Sequence, residues 1–543
     1  MNIIPETLRA GSALAEDYVE GTGRVLELYG YHFRQAEDYK TRAKRLDEME
    51  AQRIDRQAVV RCLRIYNGQH NGHAQVMESL DRLSQPDALV IAGGQQSGLF
   101  TGQLLVIYKA ATIIKAAQEA EQRLGRPVVP VFWIAGEDHD WDEVNHTYIM
   151  TSTPDPVKVR LRYQPDRRNS VSYTPLSPAH KEEVLLELER LLPDAEFKAE
   201  ILQQLRTAFM DTEHLSDAFA KMLGHFFGRY GLVLLDSADP ALRKLELPVF
   251  RQIIESNDEL EAAYQAAAQR IEAAGYQLQA EVAEGGANLF YINKGERLLL
   301  FKQNGMYGDR RGQVRFTKQE LLEELERHPE LFSNNVLTRP LMQDSLLPIL
   351  ATVLGNGEIS YWAITRQAFE VLDLEMPVLL PRMSFTLVEP NVRKHMEAFG
   401  LTFQNILEGL EPLKDKWLSA QDSFHMEEEF AAFRQELFRL YAPVIERAGQ
   451  IEKGLVRLGE KNRDRIAEQV DFMEKRVRDA LVRKHETALR QWDQIGTSLL
   501  PLGRPQERVY SIYQYTSRYG DRLVHDMMSL PLDREHLHRT IYL

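Results

Sequence analysis

"IAGGQQSGLFTGQLL", residues 91–105, sets four glycines and a group of amide and hydroxyl side chains between an apolar run and a helical stretch. The run before it, "DALVIAG", reads as a buried strand. The stretch after it, "QLLVIYKAATIIKAAQEAEQRLG", keeps apolar residues at helical spacing for about six turns. The glycines therefore mark a strand-to-helix turn. Such a turn leaves backbone N–H groups at the helix start free to meet an anion, and bare backbone lets a ligand approach closely. Gln95, Gln96, Ser97, Gly98, Thr101 and Gly102 become candidate ligand contacts. The alternative is a plain glycine-rich connection, because the spacing is neither G-x-G-x-x-G nor G-x-x-x-x-G-K-[ST].

Outward from this turn, four more apolar runs alternate with helical stretches: "PVVPVFWIAGED", "GLVLLDSAD", "PILATVLGNGE" and "MPVLLPRMSF". Short apolar runs bounded by Gly, Pro or acid and separated by helices predict a doubly wound α/β core with a parallel sheet. The expected division is a helical segment without a strong strand at 1–85, core at 86–146, 226–276 and 336–420, insertions at 147–225 and 277–335, a coiled-coil hairpin at 421–497 and a C-terminal segment at 498–543. The second insertion contains "ANLFYINKGERLLLFKQNGMYG", which reads as β-hairpin.

At 543 residues and 44% hydrophobic content, the chain can bury a substantial core. A formal charge of −14 argues against nucleic acid as the main partner. The single cysteine, Cys62, excludes an internal disulfide framework and reads as an inert buried thiol in "AVVRCLRIY". The N-terminus lacks a signal-peptide pattern, and no stretch offers the roughly 20 apolar residues of a membrane span, so a cytoplasmic chain without membrane contact is expected.

Ligands of open parallel sheets bind outside the carboxyl ends of the strands. After the second run comes "AGEDHDWDEVNH", the densest polar cluster. Asp138, His139 and Asp140 could hold an amine and move a proton, with Asn145 nearby. A metal site using His139 and His146 and an ordinary solvated turn remain alternatives; no standard metal-ligand spacing is present. The fourth run delivers Gly355, Glu358 and Tyr361, and the fifth delivers Arg382 and Ser384, where arginine could neutralise a phosphate; a salt bridge or a helix cap is the alternative for each. Arg339 in "SNNVLTRPLMQD" is a candidate for carboxylates. Arg504, Gln506, Arg508 and Tyr510 in "PLGRPQERVY" form either a second nucleotide pocket or a structural corner.

Late in the chain, Leu437, Tyr441, Val444, Ala448, Ile451, Leu455 and Leu458 alternate spacings of four and three, and Ile466, Val470, Met473 and Val477 resume the pattern after "GEKNRD". This predicts an antiparallel helical hairpin that turns near Gly459 and Asn462, with Pro443, Gly449 and Gly454 weakening its first arm. Dimerisation and a self-contained hairpin both cover such a seam.

"GGQQSGLFTGQLL", "PVFWIAGEDHDWDEVNH", "GNGEISYWA", "LLPRMSFT" and "LPLGRPQER" resemble, in order and over nearly the whole chain, the blocks of the cysteine ligase family of bacillithiol synthesis, BshC. The resemblance implies a core similar to class I aminoacyl-tRNA synthetases, with "SGLFTG" in place of the nucleotide-cradling turn and "PRMSF" in place of the phosphate-contacting loop. The signature His is missing from the first and Lys from the second. It also implies a coiled-coil homodimer, an adenine nucleotide (ATP or ADP, with Mg accompanying it) and cysteine joined to the amino group of glucosaminyl malate as the last step of the pathway. Two alternatives stay open: an adenylyl or nucleotidyl transferase on the same core, and a non-catalytic coiled-coil scaffold.

Overall fold

The computed structural model describes residues 2–8, 11–151, 153 and 155–543. Its central sheet has five strands: β1 (Leu89–Gln95), β2 (Val128–Ile134), β3 (Val233–Asp236), β4 (Ile349–Leu354) and β5 (Val378–Pro381). They are the five runs expected from the sequence. The order is β5-β4-β1-β2-β3, with every neighbouring pair parallel. All residues of β2 to β5 are buried, which is why these runs show no polar alternation. Chain order reverses beside β1: the strands after it run outward through β2 to β3, and β4 then returns to its other edge. That reversal opens a crevice at the carboxyl ends of β1 and β4.

The glycines of the opening stretch are explained by backbone proximity. A Cβ on Gly93 would lie 2.9 Å from the Val353 carbonyl oxygen and 2.9 Å from Ile113 Cδ1, on helix α1 (Leu104–Leu124). A Cβ on Gly94 would lie 2.6 Å from the Trp133 carbonyl oxygen. Only glycine lets β1 sit this close to both neighbours. The following turn is compact for a similar reason. Phe100, Thr101 and Gly102 all have positive φ, and a Cβ on Gly98 would lie 2.7 Å from Gly102 Cα.

The second insertion takes the hairpin form read from the sequence, and a strand is added at each end of the chain. Strands Gly286–Asn293 and Glu296–Gln303 pair in antiparallel fashion around Lys294 and Gly295, inside a second, five-stranded sheet. The region 147–225 begins with the antiparallel pair His146–Ile149 and Val157–Arg160 and continues as helices. The N-terminal segment, expected to lack a strand, starts with Asn2–Glu6 beside the C-terminal strand His538–Tyr542. That run is five residues long and carries Pro5, so it gives little strand signal. Cys62 is half-buried rather than buried, and burial raises its thiol pKa.

Contacts divide the chain into one compact unit of residues 2–386 and 504–541 and another made mainly of residues 387–503. The core thus ends near residue 386, before the expected limit of 420. The second unit packs Val392, Met396, Phe403, Ile406, Ile495 and Leu499 into its own apolar cluster. From it extend helices α3 (Met426–Ile451) and α4 (Gly454–Lys484), about 39 and 46 Å long. The hairpin turns at Glu452 and Lys453, and α4 runs straight through "GEKNRD", which corrects the turn expected at Gly459 and Asn462. The glycines taken for breakers are contact residues. A Cβ on Gly449 would lie 2.5 Å from Val456 Cγ2, and one on Gly459 would lie 2.8 Å from Ile445 Cγ1. Helix α3 also continues through Pro443. Val444, Ile451, Leu458 and Met473 are more than half exposed, so the heptad seam does not describe the α3–α4 contact.

No helix among the described residues is long and apolar enough to cross a membrane.

Gly94→Ala is expected to lower unfolding stability by about 1–3 kcal/mol, because the Trp133 backbone cannot move without unzipping β1 from β2. Gly357→Ala, where a Cβ meets nothing within 4 Å, should be neutral or slightly stabilising in the same urea titration.

Candidate active-site cleft

The carboxyl ends of β1, β2, β4 and β5 open onto one cavity of about 800 Å³. Gly94 and Gln95 end β1 and Gln96 follows it, Glu137, Asp138 and His139 follow β2, Gly355 and Glu358 follow β4, and Arg382 follows β5. Asn288, Phe290 and Arg297 from the antiparallel insertion form the facing wall. The remaining rim includes Arg339, Tyr361 and Arg508.

Across the crevice, Lys109 of α1 joins both sides. Its side chain is fully buried, and its Nζ donates to the Gly94 carbonyl (2.7 Å), Gln95 Oε1 (3.0 Å) and Glu358 Oε2 (2.6 Å). Glu358 stands on the short helix α2 (Asn356–Trp362), and the same carboxylate oxygen accepts from the Gly355 N–H at 2.7 Å. Burial opposes ionisation of Glu358, but Lys109, the Gly355 N–H and Arg339 outweigh it and hold the carboxyl below its usual range. Burial also lowers the Lys109 ammonium, opposed by Glu358. Because its three donors are all engaged, Lys109 is a structural tie.

Arg339 donates to Tyr361 Oη (2.9 Å) and Gln343 Oε1 (3.1 Å). Among the described residues neither Arg339 nor Arg508 has a carboxylate within ion-pair distance, so both present positive charge to the cavity. Arg382 does not. Both of its terminal nitrogens bind the buried Glu507, at 2.7 and 2.5 Å, and Glu507 also accepts from Ser384 Oγ at 2.8 Å. This corrects the expectation that Arg382 and Ser384 serve an anion: Arg382 lines the cavity with its charge already compensated, and Ser384 lies outside, between Glu507 and His538.

Among the residues after β2, the Asp138 carboxylate accepts from Gln96 Nε2 (2.8 Å) and the His139 N–H (2.7 Å), with Arg297 at 3.7 Å. Asp138 is 29% exposed and can reach a ligand, whereas Glu137 is tied up in the wall by Arg243 (2.8 Å). Arg243 also pairs with Glu246, which burial raises to about 8. His139 stands in the partition between the main cavity and a neighbouring one of about 450 Å³. Asp140 lies only in the smaller cavity, and Asn145 is buried in a corner with Asp142 and His146.

Residues 97–102 of the glycine-rich turn do not line the cavity: Ser97 and Thr101 are buried, and Gly98 and Gly102 also lie off the cleft. Three amides of the stretch are already used. Gly98 N–H donates to the Gln96 carbonyl, Gly102 N–H to that of Leu99, and Leu104 N–H, at the start of α1, to that of Tyr510 at 2.8 Å. The expected anion site at this helix start is therefore closed by the C-terminal segment. Within that segment Arg508 lines the main cavity, Gln506 and Tyr510 are buried, and Arg504 is exposed. Among the described residues no three His, Cys, Asp or Glu side chains gather as a metal site.

Sequence reading missed Lys109, Arg297 and Glu507. Lys109 left a signal, a lone cation inside the apolar "LLVIYKAATII", whereas Arg297 follows a hairpin turn and resembles a surface strand residue. With about 800 Å³ and two uncompensated guanidinium groups, the cleft has the size and charge to take a phosphate-bearing nucleotide, with Arg339 and Arg508 as the residues available to hold it.

Two family models cover the chain: "Bacillithiol biosynthesis BshC, N-terminal Rossmann-like domain" at residues 1–383 and "Bacillithiol biosynthesis BshC, C-terminal coiled-coil domain" at 385–543. Relatives carrying the name "Putative cysteine ligase BshC" include those of Geobacillus sp. (strain WCH70) and Geobacillus thermodenitrificans, each 34% identical over 100% of both chains. The Symbiobacterium thermophilum relative is 36% identical over 99% of both.

Two outcomes follow from the buried charges. Lys109→Met, which leaves Glu358 without its ammonium, should cost about 3–5 kcal/mol in chemical unfolding, and Lys109→Met combined with Glu358→Gln should recover much of it. Burial holds the His538 imidazole at about 4, below its unfolded value of about 6.5. The folded chain then binds fewer protons, so this contribution is complete above pH 6.5 and is lost as pH falls toward 4. Between pH 7 and 5 the native protein should lose about 2 kcal/mol more than His538→Gln in parallel urea titrations.

Proposed function

The chain belongs to the BshC family of bacillithiol biosynthesis, and from that premise we propose that it joins the carboxyl group of cysteine to the amino group of glucosaminyl malate, the final step of the pathway, at the expense of ATP. The observation that carries this reading is a single cavity lined by both kinds of charge. Among the described residues Arg339 and Arg508 have no carboxylate within ion-pair distance, and Asp138 offers a reachable carboxylate.

An amide cannot form efficiently from a free carboxylate, because the departing oxygen is a poor leaving group. ATP, when bound, supplies that leaving group. The protein's part is to hold the pieces. Asp138 accepts a hydrogen bond from the acceptor's neutral amino group and takes the one proton that nitrogen loses as the C–N bond forms. Arg339, steadied by Tyr361, takes a malate carboxylate, and Arg508 takes phosphate oxygens. The buried Lys109–Glu358 tie holds the end of β1 to helix α2 beside the site.

The second unit supports a homodimer. Its helices α3 and α4 leave Phe433, Phe438, Leu440, Val444, Phe472 and Met473 at least one-third exposed, an apolar surface that a second copy could cover. The expected setting is the cytoplasm.

The test is product formation by the purified chain with ATP, cysteine and glucosaminyl malate, followed by mass spectrometry. Native protein should yield the cysteinyl amide, and Asp138→Asn should reduce kcat by about 10²–10⁴. Arg339→Met should raise KM for glucosaminyl malate more than for the same sugar lacking malate. Absence of amide from native protein overturns the ligase reading, and pyrophosphate exchange into ATP without amide would favour a nucleotidyl transferase.

A further inference from the structure

Arg297 reaches the cleft from the antiparallel insertion and makes four contacts at once. Its Nε donates to Ser333 Oγ (2.9 Å), one terminal nitrogen to the Asn334 carbonyl (2.5 Å) and the other to His139 Nδ1 (3.2 Å), while the guanidinium lies 3.8 Å over the Phe290 ring. Its side chain is only 5% exposed, so it cannot swing away. Guanidinium has donors and no acceptor. The contact at 3.2 Å is therefore a hydrogen bond only if His139 Nδ1 carries a lone pair, which leaves the ring proton on Nε2. Nε2 has no partner among the described residues, and the ring is 21% exposed in the partition between the two cavities.

We propose that Arg297 is a positioning residue that fixes His139 as a neutral Nε2–H donor toward the cleft, so that Asp138 alone accepts the proton in catalysis. This assignment of roles rests on the ligase reading above; the tautomer does not. As the amine lone pair forms the C–N bond, the carbonyl electron pair moves onto oxygen, where His139 Nε2–H can meet it. The proton released from nitrogen goes to the Asp138 carboxylate, and the carbonyl re-forms as the leaving group departs with its bonding pair. The charged groups facing His139 are Asp138 and Asp140 on its own loop, Arg297 on the insertion and Arg168 on the segment below. Burial, then Arg297, lowers its basicity, against the pull of Asp138.

Two measurements test this. In the amide assay, His139→Gln, which retains an N–H donor but cannot act as a base, should keep kcat/KM within about tenfold of native, while His139→Leu should lose at least about a hundredfold. Equal loss in both overturns the donor role. Independently of activity, protein labelled with ¹⁵N-histidine should show His139 protonated on Nε2 and bare on Nδ1 from pH 6 to 8, assigned by the resonance missing in His139→Gln. In Arg297→Met the His139 pKa should rise toward the ordinary value. A proton on Nδ1, an imidazolium at pH 7, or no shift in Arg297→Met overturns the proposal. If native protein makes no amide but the tautomer is as stated, the ligase reading fails while the Arg297 contact stands.

Discussion

A buried ammonium tied to a carboxylate across the sheet's reversal point is the interaction on which the cleft depends. In an open parallel sheet the chain leaves β1 toward one edge and returns to the other, and nothing in the hydrogen-bond ladder fills the space above that division. Lys109 fills its base. It rises from the first crossover helix, takes two oxygens from the end of β1, and takes Glu358 from the β4 side. Every donor is satisfied, so a charge that would otherwise be prohibitive to bury becomes a rigid brace. Gly93 and Gly94 serve the same geometry by letting β1 lie against both neighbours.

Much of the fold was legible because burial leaves a strong imprint. Five strands buried on both faces must read as unbroken apolar runs, and all five did. The hairpin turn was misplaced because glycine has two uses that look alike in sequence. Gly449 and Gly459 break no helix; they let α3 and α4 approach closely. The same ambiguity misdirected the glycine-rich turn, where the backbone is bare to make room for protein, and three of its amides donate to carbonyls that include that of Tyr510, four hundred residues away in the chain.

The site itself was legible at the level of strand ends but not of charge. Asp138, His139, Glu358 and Arg339 come together in one cavity, as expected of residues following β-strands or their neighbouring loops. Which of the charges remain available depends on partners that no local pattern reveals. Arg382 is compensated by Glu507, and Glu137 by Arg243, each over a separation of a hundred residues or more. Arg297 arrives from an insertion whose strand pattern gives no hint of where its face will dock. The result is a cleft with a surplus of positive charge at Arg339 and Arg508 and a reachable carboxylate at Asp138, a polarity that suits an acceptor bearing both carboxylates and an amine.

A crystal structure of the chain with cysteine and glucosaminyl malate bound tests that polarity most directly. The sugar's amine should lie within hydrogen-bonding distance of Asp138, and the malate carboxylates should contact Arg339 or Arg508. Density for both ligands elsewhere, with this cleft empty, or the aminosugar bound in the reverse orientation, would contradict it.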